Sequence, residues 1–360
     1  QQSSQQAAAP APAQYPQATR QEPEARPSAR MGQRLNRLSE AYNAGEFETV
    51  ATLAGEILAQ ANANAYDKSV AKRLLGAAQI ADDPAAAIAS LNEAIAFDGL
   101  NNNDHFESMW IVAQLHAQEG QYAQSLAMLD RLAAETNAQV AEHLGLRGIV
   151  LYQMERHAEA IPALEAAIRA GDAPKPEWTQ LLMASYIETG AQDKATALAE
   201  QIAATAPGDK RSQLNLAAMY IQADDYPRAI PIYERLRAAG ELTEESEYRN
   251  LVAMYLGAEG RERDAIAVIN EGLDKQILKG DHATYNMLAQ AYYFSDQLPQ
   301  AIEAYQKAAP LAPDGETYLN LAKALWGAGR LPEAKRAAQQ ALDKGIRSPD
   351  EAQRILRQPG

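Results

Sequence analysis

Five histidines, His105, His116, His143, His157 and His282, are the first residues to weigh for chemistry. No two stand at i,i+4 and none falls in an H-E-x-x-H frame, so a helical zinc-hydrolase site is excluded. Turn or surface positions are expected for them. The run Asp98-Gly99-Leu100-Asn101-Asn102-Asn103-Asp104 offers oxygen ligands of the kind calcium takes. It lacks the glycine at six and glutamate at twelve of a calcium loop. Asn tolerates left-handed turn backbone, so a linker between helices is the better reading. Paired carboxylates such as Glu244 and Glu245 suit a helix N-terminus, where they complement its dipole. There is no cysteine, which removes a thiolate nucleophile, a thiolate zinc site and disulfides. Glycine-rich phosphate loops and the G-x-S-x-G nucleophile turn are missing as well. No catalytic residue, metal or cofactor is expected, and the chain reads as a non-enzyme.

A chain without chemistry of its own acts through surface, and composition says what kind. Apolar residues make up 47% of 360, dominated by alanine, with four Phe and three Trp. Small side chains let helices approach closely, which favours helix-on-helix packing over a sheet sandwich. The formal net charge is −14. Nucleic acid is therefore not an expected partner, because phosphate binding needs a basic footprint. An anionic membrane surface is disfavoured on the same ground. No apolar run reaches 18 residues, so no membrane insertion is expected.

Texture divides the chain. Residues 1–30 are rich in Gln, Ala and Pro, with Tyr15 as their one aromatic. Such a segment buries too little to offset its ordering entropy, and a disordered tether is expected over 1–30. The chain opens on Gln rather than Met, which suggests a cleaved signal peptide and a periplasmic protein, with a cytoplasmic one as the alternative. From Met31 onward apolar residues recur at helical spacing, and short turns carry Gly or Asp.

The helical region repeats. In residues 285–313 an aromatic (Tyr285) is followed by Leu288-Ala289, Tyr292, Ala301, Tyr305, Ala308 and Pro313. An inner small residue recurs at Val50, Ala87, Ser125, Ala160, Ala195, Ala229, Ala265, Ala301 and Ala334, with 33 to 38 positions between neighbours. Ala289 and Ala301 are small where two helices of a hairpin cross, Tyr292 and Tyr305 fill the space beside them, and Pro313 ends the second helix. Turn glycines fall at Gly45, Gly120, Gly190, Gly260 and Gly329. The pattern resembles the tetratricopeptide repeat, whose period is about 34. The resemblance covers 31–345, and the first two units are degenerate. By contrast, Ala338 reads as exposed.

The resemblance implies an all-α, right-handed superhelical solenoid of about nine hairpins over 31–346, with a C-terminal capping helix within 347–360. It also implies that the first helix of each hairpin lines a concave groove for a protein or peptide partner. By the repeat frame, the inward residues are Arg249, Asn286, Gln290, Tyr293, Phe294, Lys323 and Trp326, with Trp110 and Tyr152 in earlier units. Tyr293, Phe294 and Trp326 either anchor a partner or pack between neighbouring first helices. The family's clamp for a C-terminal carboxylate is not carried over, since only Arg249 and Lys323 are suitably basic.

Residues 65–100 also resemble tetratricopeptide proteins that accompany TonB, ExbB and ExbD. The shared features are Tyr66-Asp67-Lys68, Leu75-Gly76 and an Ala87-Ile88, Leu91, Ala94-Ile95 second helix. That implies an accessory of an energy-transduction system in the Gram-negative envelope. A general envelope-assembly adaptor, for outer-membrane biogenesis, polysaccharide export or cell-wall synthesis, is the alternative. So is the regulatory subunit of an enzyme on another chain.

Overall fold

The computed structural model describes residues 13–172 and 175–359, and those residues form nineteen α-helices with no strand. The chain divides into two compact units, Gln1–Ala195 and Thr196–Gly360.

The first unit holds α1 (Gly32–Asn43), α2 (Phe47–Leu58), α3 (Ala65–Gln79), α4 (Pro84–Ala96), α5 (Asn102–Gln118), α6 (Tyr122–Thr136), α7 (Ala141–Gln153), α8 (His157–Ala170) and α9 (Pro176–Glu188). Helix α10 (Gln192–Thr205) runs across the division. The second unit holds α11 (Lys210–Gln222), α12 (Tyr226–Ala238), α13 (Glu245–Gly257), α14 (Glu262–Asp274), α15 (His282–Phe294), α16 (Leu298–Ala308), α17 (Glu316–Gly327), α18 (Leu331–Lys344) and α19 (Pro349–Leu356). Within each unit every helix packs on the next in sequence, the arrangement of stacked hairpins.

The repeat frame maps onto this order without a slip. All nine inner small residues are the fourth residue of an even-numbered helix, from Val50 in α2 to Ala334 in α18, and all nine are fully buried. The frame holds because a larger side chain at that point would hold two helix backbones apart. Val50 shows that a β-branched residue is accommodated in the first hairpin. At Ser125 the added hydroxyl is satisfied by donating to the Ala113 carbonyl at 2.7 Å. The hairpin turns also follow a rule. Gly45 and Gly190, each five residues before the inner small residue, take φ of 74° and 75°, where L-residues are strained, while Glu155, Asp224 and Asp296 at the same place adopt φ of 55–60° without glycine.

A polar seam joins neighbouring hairpins. Tyr186 donates to Glu165 at 2.5 Å in the first unit; Tyr220 donates to Glu200 at 2.8 Å and Tyr255 to Glu234 at 2.6 Å in the second. A cation lies over each ring: Lys194, Arg228 and Arg261, respectively. Each tyrosine is the eleventh residue of its helix.

Four expectations need correction. Residues 1–12 of the expected tether lie outside the described residues. Residues 13–30 are non-helical but are laid on the first unit, held by side-chain hydrogen bonds and by Tyr15 and Ala18 packed on its core. Ala338 is fully buried, because it stands four residues after Ala334, at the repeat position that Tyr305 fills four residues after Ala301. His105 is buried rather than surface-placed. Finally, α16 stops at Ala308, ahead of a 3-10 turn over Ala309–Leu311, so Pro310 and not Pro313 marks its end.

Candidate protein-interaction site

In the second unit, α15 and α17 are the first helices of successive hairpins, linked where His282 meets Thr317, and α19 packs on α17. First helices two elements apart touch in the same way at α5 and α7, and at α7 and α9. Helix α19 therefore occupies the place of a tenth first helix. Its amphipathic sequence explains this: Ala352 and Ile355 are buried, while Glu351 and Arg354 on the neighbouring edge face an open cavity.

Two adjoining cavities result. One, of about 520 Å³, is lined by His282, Asn286 and Gln290 of α15, Asn320 and Lys323 of α17, and Glu351 of α19. The other, of about 380 Å³, is lined by Tyr293, Lys323 and Trp326 with Glu351, Arg354 and Ile355. Lys323 and Glu351 border both and form an ion pair. The lysine's hydrogen bond holds the Glu351 carboxyl below its ordinary range.

None of the three rings is fully buried between first helices. Tyr293 is 38% exposed, Trp326 40% and Phe294 68%. Tyr293 and Phe294 meet edge to face with centroids 5.7 Å apart. Phe294 lines neither cavity. The Asn286 side-chain oxygen is buried and accepts no hydrogen bond within the protein. A buried acceptor left unsatisfied costs free energy that a donor from a partner would recover. His282 is tied to the structure through Thr317 Oγ1 at 2.8 Å.

Other expected groove residues fall elsewhere. Arg249 is occupied internally: it donates to Glu245 at 2.9 and 2.6 Å, to Asp281 at 3.1 Å and to Thr284 at 3.2 Å. It ties α13 to the start of α15. Trp110 and Tyr152 belong to the first unit. Trp110 packs on His143, with ring centroids 4.6 Å apart, and Tyr152 meets His157 at 4.9 Å. Burial lowers the His143 pKa to about 4, so this ring is neutral at pH 7.

Sequence reasoning missed His282, Asn320 and the contribution of α19. The Ser348-Pro349 start of α19 signals a terminal helix, but which edge of that helix meets α17 carries no signal in the repeat. Among the described residues no group of three His, Asp or Glu is placed to hold a metal ion. Among the described residues no helix is long and apolar enough to cross a membrane.

Family models described as tetratricopeptide repeat match residues 113–174, 282–314 and 315–340. Cellulose synthase operon protein C of Xanthomonas axonopodis pv. citri is 28% identical over 273 residues, a match that takes in 72% of this chain and 17% of that protein. The chain thus spans about a sixth of the curated relative it matches. The C-terminal part of a TPR repeat-containing protein from Cytophaga hutchinsonii has a similar fold, at 14% identity and a TM-score of 0.51, covering 68% of this chain and 98% of that one. A tetratricopeptide repeat protein from Parabacteroides merdae matches at 15% identity and a TM-score of 0.41, over 70% and 97% of the two chains. The three repeat models, taken with the unbroken register of crossing residues, identify tetratricopeptide repeats in this chain.

Proposed function

We propose that the chain is a non-catalytic scaffold of the Gram-negative envelope, in the periplasm, that grips a protein partner with the α15–α17–α19 face of its second unit. The observation that carries this reading is the pairing of a buried, unsatisfied acceptor, Asn286 Oδ1, with the half-exposed rings of Tyr293 and Trp326 on one open face. Interfaces centre on aromatic anchors, and an extended segment brings backbone N–H donors to such an amide. The Lys323–Glu351 pair at the shared border suits a polar partner side chain on either side of it.

Which envelope system it serves is a finer matter. The relative's name supports the polysaccharide-export form of this role. The TonB-accessory form rests on the resemblance over residues 65–100. Of the motif there, Asp67 is spent on local structure: it accepts the Asn64 backbone N–H at 2.9 Å, closing a capping box at the start of α3.

The test begins with capture of partners from envelope extract by the full chain. Affinity of the captured partner is then measured for Tyr293→Ala and Trp326→Ala, with thermal melts alongside. The reading expects a loss of about thirtyfold, the equivalent of roughly 2 kcal/mol, with folding intact. Normal binding by both variants would move the site to another surface. Co-purification of TonB, ExbB or ExbD rather than polysaccharide-synthesis proteins would select the other system.

A further inference from the structure

The first unit carries a second built site, and it is already filled. Arg20 extends into a socket formed by the loop between α4 and α5, and its side chain is 8% exposed. Nε and Nη2 donate to Asp98 Oδ1 at 2.8 and 2.7 Å. Nη1 donates to Asn102 Oδ1 at 2.6 Å, and Nη2 also reaches the Leu100 carbonyl at 3.0 Å. A planar guanidinium with several N–H donors is the group that such a ring of acceptors fits.

The socket does not depend on Arg20 for its shape. The Gly99 N–H is held by Ser69 Oγ at 3.0 Å, and a Cβ on Gly99 would stand 2.3 Å from the Ala65 carbonyl, so the loop is pressed onto the start of α3. Asn101 caps α5 by accepting the Asp104 N–H at 2.9 Å. Leu100 is buried beneath. Without Arg20, the Asp98 side chain, already 64% exposed, would be left to water rather than as an isolated buried charge.

Five residues before Arg20, Tyr15 lies against the first-helix face of α5 and α7. Its ring meets Phe106 edge on at 5.2 Å and stacks on His143 at 6.4 Å. The main chain between these anchors is held as well, since the Thr19 N–H donates to the Glu135 carbonyl at 2.8 Å. Beyond Arg20, the Glu22 carboxylate accepts the Asn102 N–H at 2.8 Å, in the first turn of α5. Residues 14–22 form no helix or strand, and their anchoring side chains all reach the unit beneath. This is the bonding of a docked peptide.

We propose that this face is a binding site for an extended peptide with an aromatic residue five positions before an arginine, and that residues 14–22 are its resident occupant, an intramolecular pseudo-ligand that a partner peptide of the same chemistry displaces. Tethering raises the local concentration of the resident segment to the millimolar range, so it competes strongly with added peptide. The site is then latent until the segment is released. It lies wholly in the first unit, and its fate is independent of the α15–α17–α19 face.

The test uses the full chain and a fluorescein-labelled synthetic peptide of residues 13–29. In the wild-type chain the labelled peptide should bind weakly. In the Tyr15→Ala/Arg20→Ala chain, whose own segment cannot dock, it should bind at least tenfold tighter. The same peptide with its Arg20 replaced by Ala should fail to bind, and Asp98→Ala added to the opened chain should abolish binding. Equal affinity for wild-type and opened chains overturns the proposal, as does equal binding of the arginine-less peptide. Loss of helix content in the opened chain by circular dichroism also overturns it, because the segment would then be a fixed part of the core. Dimerisation of the wild-type chain that Arg20→Ala abolishes overturns the intramolecular assignment, since the socket would then be filled by a second copy.

Discussion

Arg20 and Asp98 stand 78 positions apart, and the guanidinium places two N–H donors on a single carboxylate oxygen of Asp98. The partnership explains why a linker between helices gathers oxygens of the kind a cation takes. The oxygens of Asp98, Leu100 and Asn102 do gather around a positive charge, but that charge is a side chain of the same protein. Charge-assisted bonds of this geometry are stronger than neutral ones, and the buried stem of Arg20 adds packing to charge.

Arg20→Ala should therefore free the docked segment locally without unfolding the unit. Amide exchange at Thr19, whose N–H is held by the Glu135 carbonyl, should speed up by at least tenfold, while protection in the middle of α5 stays unchanged. Hydrogen exchange with mass spectrometry reads both. Unchanged exchange at Thr19 would show that Tyr15 alone holds the segment.

Overpacking separates the crossing residues from the surface. Ala229→Leu and Ala301→Leu should each cost about 1–3 kcal/mol, and Ala338→Leu should cost as much because it too is fully buried. Ala238→Leu, on the exposed edge of α12, should change stability by less than about 0.5 kcal/mol. Chemical denaturation of the four variants ranks them, and a tolerant Ala338 would show that the last hairpin shifts to take up the added volume.

Acid should weaken the first unit in a defined window. His105 and His143 both have pKa values lowered to about 4. Burial is the main cause for each; the Arg20 charge adds to it at His105, while Glu135, Asp98 and Glu142 oppose it. The His105 ring nitrogens accept and donate no hydrogen bond, and Glu135 at 3.8 Å is too far to make one. The unfolded chain takes up protons near pH 6.5 and the folded one only near 4. Stability from this source is thus complete above pH 6.5, falls between 6.5 and 4, and changes no further below 4. Melting temperature should drop by several degrees from pH 7 to pH 4.5. His105→Phe, which removes one titration and keeps an aromatic ring beside Phe106, should flatten part of that slope; an unaltered slope would assign the acid sensitivity to other groups.

Gly99→Ala probes the socket from below. The new methyl would meet the Ala65 backbone at 2.3 Å, and backbone cannot swing aside as a flexible side chain does. The loop must shift, with a loss of about 1–3 kcal/mol. Trypsin cleavage after Arg20 reports whether the socket still closes: it should be slow in the wild-type chain and fast in the variant.

The sequence alone determined the repeating part of this protein. A small residue every 33 to 38 positions marks each hairpin crossing, and the nine residues read from that spacing occupy one structural position. They are legible because a repeat array is built from local contacts: each helix packs on its sequence neighbours, so the constraint on a residue is written within a few dozen positions of it. That Asn286, Gln290, Tyr293, Lys323 and Trp326 share one open face was legible by the same frame, since their places are set by register along first helices. What only the tertiary structure decided lies off that frame. Arg249 has the right register, but Glu245 and Asp281 claim its guanidinium. Residues 13–30 have the composition of a tether, and Arg20 with a matching set of acceptors, Tyr15 on Phe106 and Ser28 on Asp67 dock them. These outcomes depend on pairings between non-periodic residues, as far as 78 positions apart at Arg20 and Asp98. The energy of such a pairing comes from geometry at one point in space, and neither composition nor spacing along the chain encodes it.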